Sequence, residues 1–398
     1  MKKNILTLER LSCTGCRACE HICPKNCISF KPDYEGFIYP EVDETVCNEC
    51  GLCLKRCPSF SDTKLPDYKQ KFFGLRLKDK NALMKSSSGG AFAGLANYII
   101  RQNGIVYGCA YTENLIPQHI AVNDIAGLEK LKGSKYVSSD TKDTFKTVKA
   151  ELQEGKTILY SGLPCQIAGL KSFLNKEYEN LYTVDLICHG VPSQKLFKKY
   201  LEWLGQKMDG KIIYYGFRDK EIGQNVRGLL NANAKTSTKI RTKNGFCDPY
   251  YASFLRCEIF RESCYKCKYA NMYRIGDITI GDFWGIKKYY PDYDDSKGVS
   301  AIIINTAKGE SLFNLASGKF DFFECKELEI RDVNTNLNVP SPRTEIRNTI
   351  YHGIDELSAN HFFKKFKYSN AFVLKVKKKI RKLIPSKLKN IIKKLRTK

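Results

Sequence analysis

The chain has no run of about eighteen apolar residues, so nothing in it reads as a bilayer-spanning helix. Its basic start, Met1 to Leu8, is interrupted by Glu9 and Arg10 before a secretory core would be complete, so the expectation is a chain without an export signal. No G-x-G-x-x-G follows an apolar run, and Gly155-Lys156-Thr157 lacks the upstream glycine of a P-loop, which sets aside Rossmann and NTPase sites. No period of about twenty to fifty residues recurs beyond a doubled cysteine pattern. Acidic residues are missing from 364 to 398, where fifteen Lys or Arg fall; without that tail the net charge of +24 drops to about +9. The body is therefore only moderately basic, and the tail needs its own account.

What is abundant is cysteine, with 17 in 398 residues. Without an export signal the chain is expected in a reducing, oxygen-poor cytoplasm, where cysteines serve as metal ligands rather than as a disulfide framework. The run Cys13-x2-Cys16-x2-Cys19-x3-Cys23-Pro24 recurs as Cys47-x2-Cys50-x2-Cys53-x3-Cys57-Pro58. Two-residue gaps wrap one loop around three irons of a cubane, and the terminal cysteine of each run reaches the other cluster. Cys13, Cys16, Cys19 and Cys57 are thus expected on one 4Fe-4S cluster, and Cys47, Cys50, Cys53 and Cys23 on a second. Zinc is the competing reading, disfavoured by the third cysteine and the Cys-Pro in both copies. Cys27 is expected to pack beside a cluster rather than to serve as a ninth ligand.

Beyond a polar linker at 61–67 the pattern changes. Apolar runs at 72–77, 105–110, 157–160, 182–187 and 300–304 read as strands, and 90–101 as a helix. The alternation predicts an α/β body with a mixed, partly parallel sheet, and antiparallel hairpins and loops over 210–295. Cys165 and Cys188 each follow a strand, at the edge where open α/β sheets bind ligands. With Cys264-x2-Cys267 they make four thiols from three loops, either a third cluster site or isolated buried cysteines. Cys109, Cys247, Cys257 and Cys325 lack spacing partners, and only Cys257 lies near enough to Cys264 to compete.

From about residue 10 to 340 the sequence resembles the beta subunits of coenzyme F420-reducing hydrogenases and dehydrogenases, in the form found beside bacterial polysaccharide-biosynthesis enzymes. The resemblance is carried by Ser87-Ser88-Gly89-Gly90, Gly133-Ser134-Lys135-Tyr136-Val137, Gly162-Leu163-Pro164-Cys165-Gln166, Cys188-His189-Gly190-Val191-Pro192-Ser193, Cys264-x2-Cys267, Gly276-Asp277-Ile278-Thr279 and Gly281-Asp282-Phe283-Trp284-Gly285. It implies FAD, a 4Fe-4S cluster on Cys165, Cys188, Cys264 and Cys267, and electron exchange with a deazaflavin or another acceptor. For the flavin, Ser88-Gly89-Gly90 opens a helix whose free amides suit a pyrophosphate, although an ordinary serine cap reads equally well. Lys135 and Tyr136 would add a cation and a ring. His189, Asp277 and Asp282 are candidates for proton handling, with a structural hydrogen bond the plainer role for the histidine.

Three segments are thus expected: a two-cluster ferredoxin module at 1–65, a flavin and iron-sulfur body at 66–345, and a basic tail at 346–398. Ile380, Ile384, Leu388, Ile391 and Leu395 recur at helical steps among lysines, interrupted at Pro385, as in a helix lying on an anionic membrane surface. Packing on the body is the second reading and nucleic acid the third, since aromatic residues are scarce there. The functional expectation is an oxidoreductase passing electrons from the ferredoxin clusters to FAD and a small-molecule acceptor, with a ferredoxin or other redox protein as partner. The competing class is a non-catalytic electron-transfer subunit docked on an enzyme. The expected location is the cytoplasm, with the inner membrane face open through the tail.

Overall fold

The computed structural model describes residues 3–60, 67–220, 231–293 and 297–366. Thirteen strands occur among them. β1 (Ile28–Pro32) and β2 (Ile38–Val42) form a hairpin in the cysteine-rich module. The body begins with β3 (Lys71–Leu77), β4 (Ile105–Tyr111), β5 (Pro117–Val122), β6 (Ile158–Gly162) and β7 (Leu181–Leu186). It continues with β8 (Tyr214–Phe217), β9 (Asn231–Lys235), β10 (Ile240–Asn244), β11 (Ile278–Asp282), β12 (Ser300–Ile304) and β13 (Phe320–Glu324).

Eight strands make one sheet in the order β13-β3-β12-β11-β7-β6-β4-β5. Its middle, β4-β6-β7-β11, is parallel, and antiparallel strands flank it on both sides. Parallel strands are buried on both faces and so read as continuous apolar runs; β6 is buried at every position. Alternate residues divide between two cores. Val106 and Leu159 pack under the helix Ala91–Arg101 with Leu95, Ala96 and Ile99. Tyr107, Ile158 and Tyr160 pack on the other face under the helices Thr144–Gln153 and Pro164–Leu174.

The sequence expectation for 210–295 holds for β8 to β10, which form a separate antiparallel sheet. It fails for β11, which joins the main sheet parallel to β7, because Ile278 and Ile280 are needed in the core. Residues 346–366, grouped with the tail on charge, pack into the body: Ile350, Tyr351, Phe362 and Phe363 share a core with Tyr200, Trp203 and Phe37. The rest of the proposed amphipathic tail lies outside the described residues.

The cysteine module is bolted to the body by buried arginines. Arg347, 1% exposed, donates to both carboxylate oxygens of Glu35 at 2.9 and 2.5 Å and to the Phe260 carbonyl at 2.7 Å. Arg17 holds both oxygens of Asp140, and Arg261 donates to the carbonyls of Cys13 and Ile38 at 2.7 and 2.9 Å. Removing one member of such a pair strands a dry charge, which fixes the module's orientation.

Candidate functional site

The two cysteine runs repeat in backbone as well as spacing. Two and four residues after the first cysteine, the chain turns through positive φ: Gly15 and Arg17 at 73° and 65°, Glu49 and Gly51 at 53° and 72°. These turns fold each loop back so that successive thiols face inward. Burial pushes the Cys16 thiol up to about 12, and Cys57 and Cys13 are the thiols whose charge adds to this. Cys19 is raised by burial and by Cys16, Cys13 and Cys57. The terminal cysteine of the second run therefore stands with the first three of the other. Cys27 lies 3.4 Å from Cys23, sulfur to sulfur, beside the second set. Burial opposes ionisation of the Cys16 and Cys19 thiols, so to serve as thiolates they need a cationic partner, which an iron-sulfur cluster would supply. The two sets differ in exposure: Cys13, Cys16, Cys19 and Cys57 are buried, whereas Cys50 is open to solvent and Cys47 and Cys23 are half-buried.

Cys165, Cys188, Cys264 and Cys267, scattered over a hundred residues, line one cavity of about 70 Å³. Cys165 is on the first turn of Pro164–Leu174, where Pro164 tolerates the missing amide partner. Cys188 follows the end of β7, Cys264 lies within the short 3-10 turn Glu262–Lys266, and Cys267 caps its end. Burial raises the Cys165 thiol well above its ordinary value, with Cys267, Cys188, Cys264 and then Cys16 adding to it. Cys257 is not on this cavity. Among the described residues no three His, Cys, Asp or Glu side chains are gathered tightly enough for a single metal ion.

The module supplies a wall of this cavity through Thr14 and Gly15. One turn beyond Cys165, on the same helix face, Gly169 allows the closest approach: a Cβ there would sit 2.9 Å from Cys16 Cβ and 3.0 Å from its sulfur.

A second cavity, of about 380 Å³, lies beside the first and shares Leu163, Gln166, Cys188, His189, Gly190, Val191 and Ser139 with it. Its size falls in the range of small-molecule sites, about 300–1,000 Å³. The sequence candidates Ser88, Gly90, Lys135, Tyr136, His189 and Asp282 all line it. The helix starts at Ala91 with Gly90, φ 80°, as cap, and the first-turn residues Ala91, Phe92 and Ala93 face the cavity. Tyr136 stacks on Phe254 with centroids 4.3 Å apart. Burial pushes the Asp282 carboxyl up, but the charge and hydrogen bonds of the paired Arg218, with Ser88 and His189, together hold it below its usual range. Burial lowers the His189 pKa, against the pull of Asp282.

Three candidates have structural work that the sequence did not show. Asp277 does not line the cavity: it is 2% exposed, accepting from the Thr183 amide and hydroxyl at 2.8 and 2.6 Å and from Thr306 at 2.9 Å, so it ties β11 to β7. Gly89 is wedged against β3, where a Cβ would lie 2.1 Å from the Leu75 carbonyl oxygen. Lys135 donates to the carbonyls of Leu131, Lys132 and Gly133, capping a helix end. Conversely, Arg218, His119 and Ser139 line the cavity without any local sequence signal.

These features define an iron-sulfur protein with a redox-type α/β body. Residues 12–60 match the 4Fe-4S dicluster domain, and residues 155–328 match the C terminus of the coenzyme F420 hydrogenase/dehydrogenase beta subunit. The chain thus carries that family's C-terminal domain behind a dicluster ferredoxin domain. It is similar to a component of the F(420)H(2) dehydrogenase of Methanosarcina mazei, 21% identical over 332 residues, which cover 78% of this chain and 84% of the relative. It is also similar to the coenzyme F420-dependent sulfite reductase of Methanocaldococcus jannaschii, 24% identical over 76% of this chain but only 45% of that protein's length. A chain of the solved F420-reducing NiFe hydrogenase complex from Methanosarcina barkeri aligns with 17% identity and a TM-score of 0.45, over 69% of this chain and 92% of its own. Among the described residues no helix is long and apolar enough to cross a membrane.

Proposed function

We propose that the chain is an oxidoreductase subunit that carries electrons between a redox protein docking at the exposed side of the module and a small molecule in the larger cavity. Cys13, Cys16, Cys19 and Cys57 hold the inner ferredoxin cluster, and Cys23, Cys47, Cys50 and Cys53 the outer one. Cys165, Cys188, Cys264 and Cys267 hold a third 4Fe-4S cluster, and the larger cavity holds FAD. When bound, clusters carry single electrons and a flavin converts between single and paired transfer. The observation that carries this reading is the continuity of sites: Cys16 abuts the helix of Cys165, and Cys188 lies in the wall between the two cavities.

The chain's own contributions are positional. First-turn amides of Ala91, Phe92 and Ala93 suit a phosphate group. Tyr136 offers an aromatic edge, and the Arg218–Asp282 pair a fixed dipole. The names of the relatives make coenzyme F420 the first small molecule to try. A second reading, a relay subunit with no turnover of its own, is favoured by the exposure of Cys50, which suits a partner at the outer cluster.

The test is iron, sulfide and flavin content of protein purified without oxygen, followed by reduced F420 added under argon. About twelve irons, one FAD and bleaching of flavin absorbance support the first reading. Twelve irons with no flavin favour the relay subunit, and about eight irons with no flavin reject both cavities as redox sites.

A further inference from the structure

One histidine–serine pair sets the hydrogen-bond polarity of the larger cavity at the wall it shares with the thiols. Ser139 lies on that wall. Its hydroxyl is 2.7 Å from His119 Nδ1, and Nε2 of the same ring is 3.1 Å from the Ser161 carbonyl oxygen. A carbonyl can only accept, so Nε2 carries the proton. Burial brings the His119 pKa down to about 4, so the ring is neutral near pH 7 and Nδ1 is a lone pair. The serine hydroxyl must then donate to Nδ1. With that proton committed to His119, the Ser139 oxygen has only lone pairs to offer any other partner.

The arrangement is rigid. His119 is 4% exposed and stacks on Tyr160 at 5.5 Å and 10°. Gln166 donates to the Ser139 carbonyl at 3.0 Å, and Gln194 to the Ser138 carbonyl at 3.0 Å, which pins the segment. Cys109, on the same wall, is hydrogen-bonded to Ser139; as a weak, single S–H donor it takes one of the two lone pairs and leaves the other.

We propose that Ser139, positioned by His119, accepts the central-ring N–H that the redox heterocycle in this cavity bears only when reduced. The inference rests on the cofactor reading above and adds which redox state the wall favours. An acceptor that cannot donate has a partner in the reduced ring and none in the oxidised ring. It therefore stabilises the reduced form and raises the potential.

The probe is FAD titrated into flavin-stripped, cluster-loaded protein, with affinity read in both redox states and the potential read by spectroelectrochemistry. Ser139→Ala is expected to weaken reduced FAD about tenfold, a fall of ~30 mV for a two-electron couple, while oxidised FAD changes less than about twofold. Ser139→Thr, which keeps the hydroxyl, is expected to restore both. Equal weakening of the two states, or none, overturns the inference while leaving the cofactor site standing. Wild-type protein that binds no FAD overturns the site reading and the inference together.

Discussion

The module and the body each gather thiols in sets of four, by opposite means. In the module, two short loops bring their own thiols, and Cys57 of the second loop stands with Cys13, Cys16 and Cys19 of the first. In the body, Cys165 and Cys188 are delivered by the ends of adjacent parallel strands, and Cys264 and Cys267 by a turn beyond the second sheet. A site made by loops survives changes in the fold around it. A site made by topology is only as good as the sheet. The body site is walled in part by the module and shares a wall with a second cavity, and its four thiols are half-buried where those of the module's inner set are buried.

The sharpest way to break this comparison is to remove one thiol from each site. Cys165→Ala is expected to lose about four of twelve irons and keep the ferredoxin signals, whereas Cys50→Ala is expected to disturb only the solvent-facing cluster. Iron analysis and EPR of the reduced proteins check both. Next in size is the bolt between the regions. Arg347→Met strands Glu35, and a loss of about 3–5 kcal/mol in denaturant unfolding is expected, larger than for any exposed pair.

Gly169→Ala probes the seam itself. Its methyl would press on the Cys16 side chain at 2.9 Å, with an expected cost of about 1–3 kcal/mol and an altered EPR signal for the inner ferredoxin cluster alone.

The smallest effect concerns acid. Burial pushes the Asp140 carboxyl up, but the Arg17 hydrogen bonds and the charges of Arg17 and Lys142 pull it further down. Its folded pKa is thus below the unfolded value, so the pair stabilises the fold above about pH 4 and stops doing so as pH falls through the folded value. Asp140→Asn is expected to flatten stability against pH in that window and leave neutral-pH iron content unchanged.

How much of this was legible follows from where the information sits. The spacing of the eight module cysteines and the strands ending before Cys165 and Cys188 are local patterns, and both strands are found where the apolar runs put them. Gathering Cys188 with Cys264 needs strand pairing between β7 and β11, which no local window contains. Asp277 and Lys135 looked available because a cap or a cross-strand bond leaves no mark in composition. The Arg347–Glu35 pair spans 312 residues and was equally invisible. His119 escaped notice because its role comes from what lies opposite β5, not from its neighbours in sequence.

We propose the body thiols as the obligatory step between the module and the large cavity. Its most direct test is the rate at which a reduced ferredoxin bleaches bound FAD in wild-type and Cys165→Ala protein that both retain flavin and the eight ferredoxin irons. The rate in the variant is expected to fall by orders of magnitude while reduction of the ferredoxin clusters stays fast; bleaching at the wild-type rate would contradict an obligatory role for the body thiols.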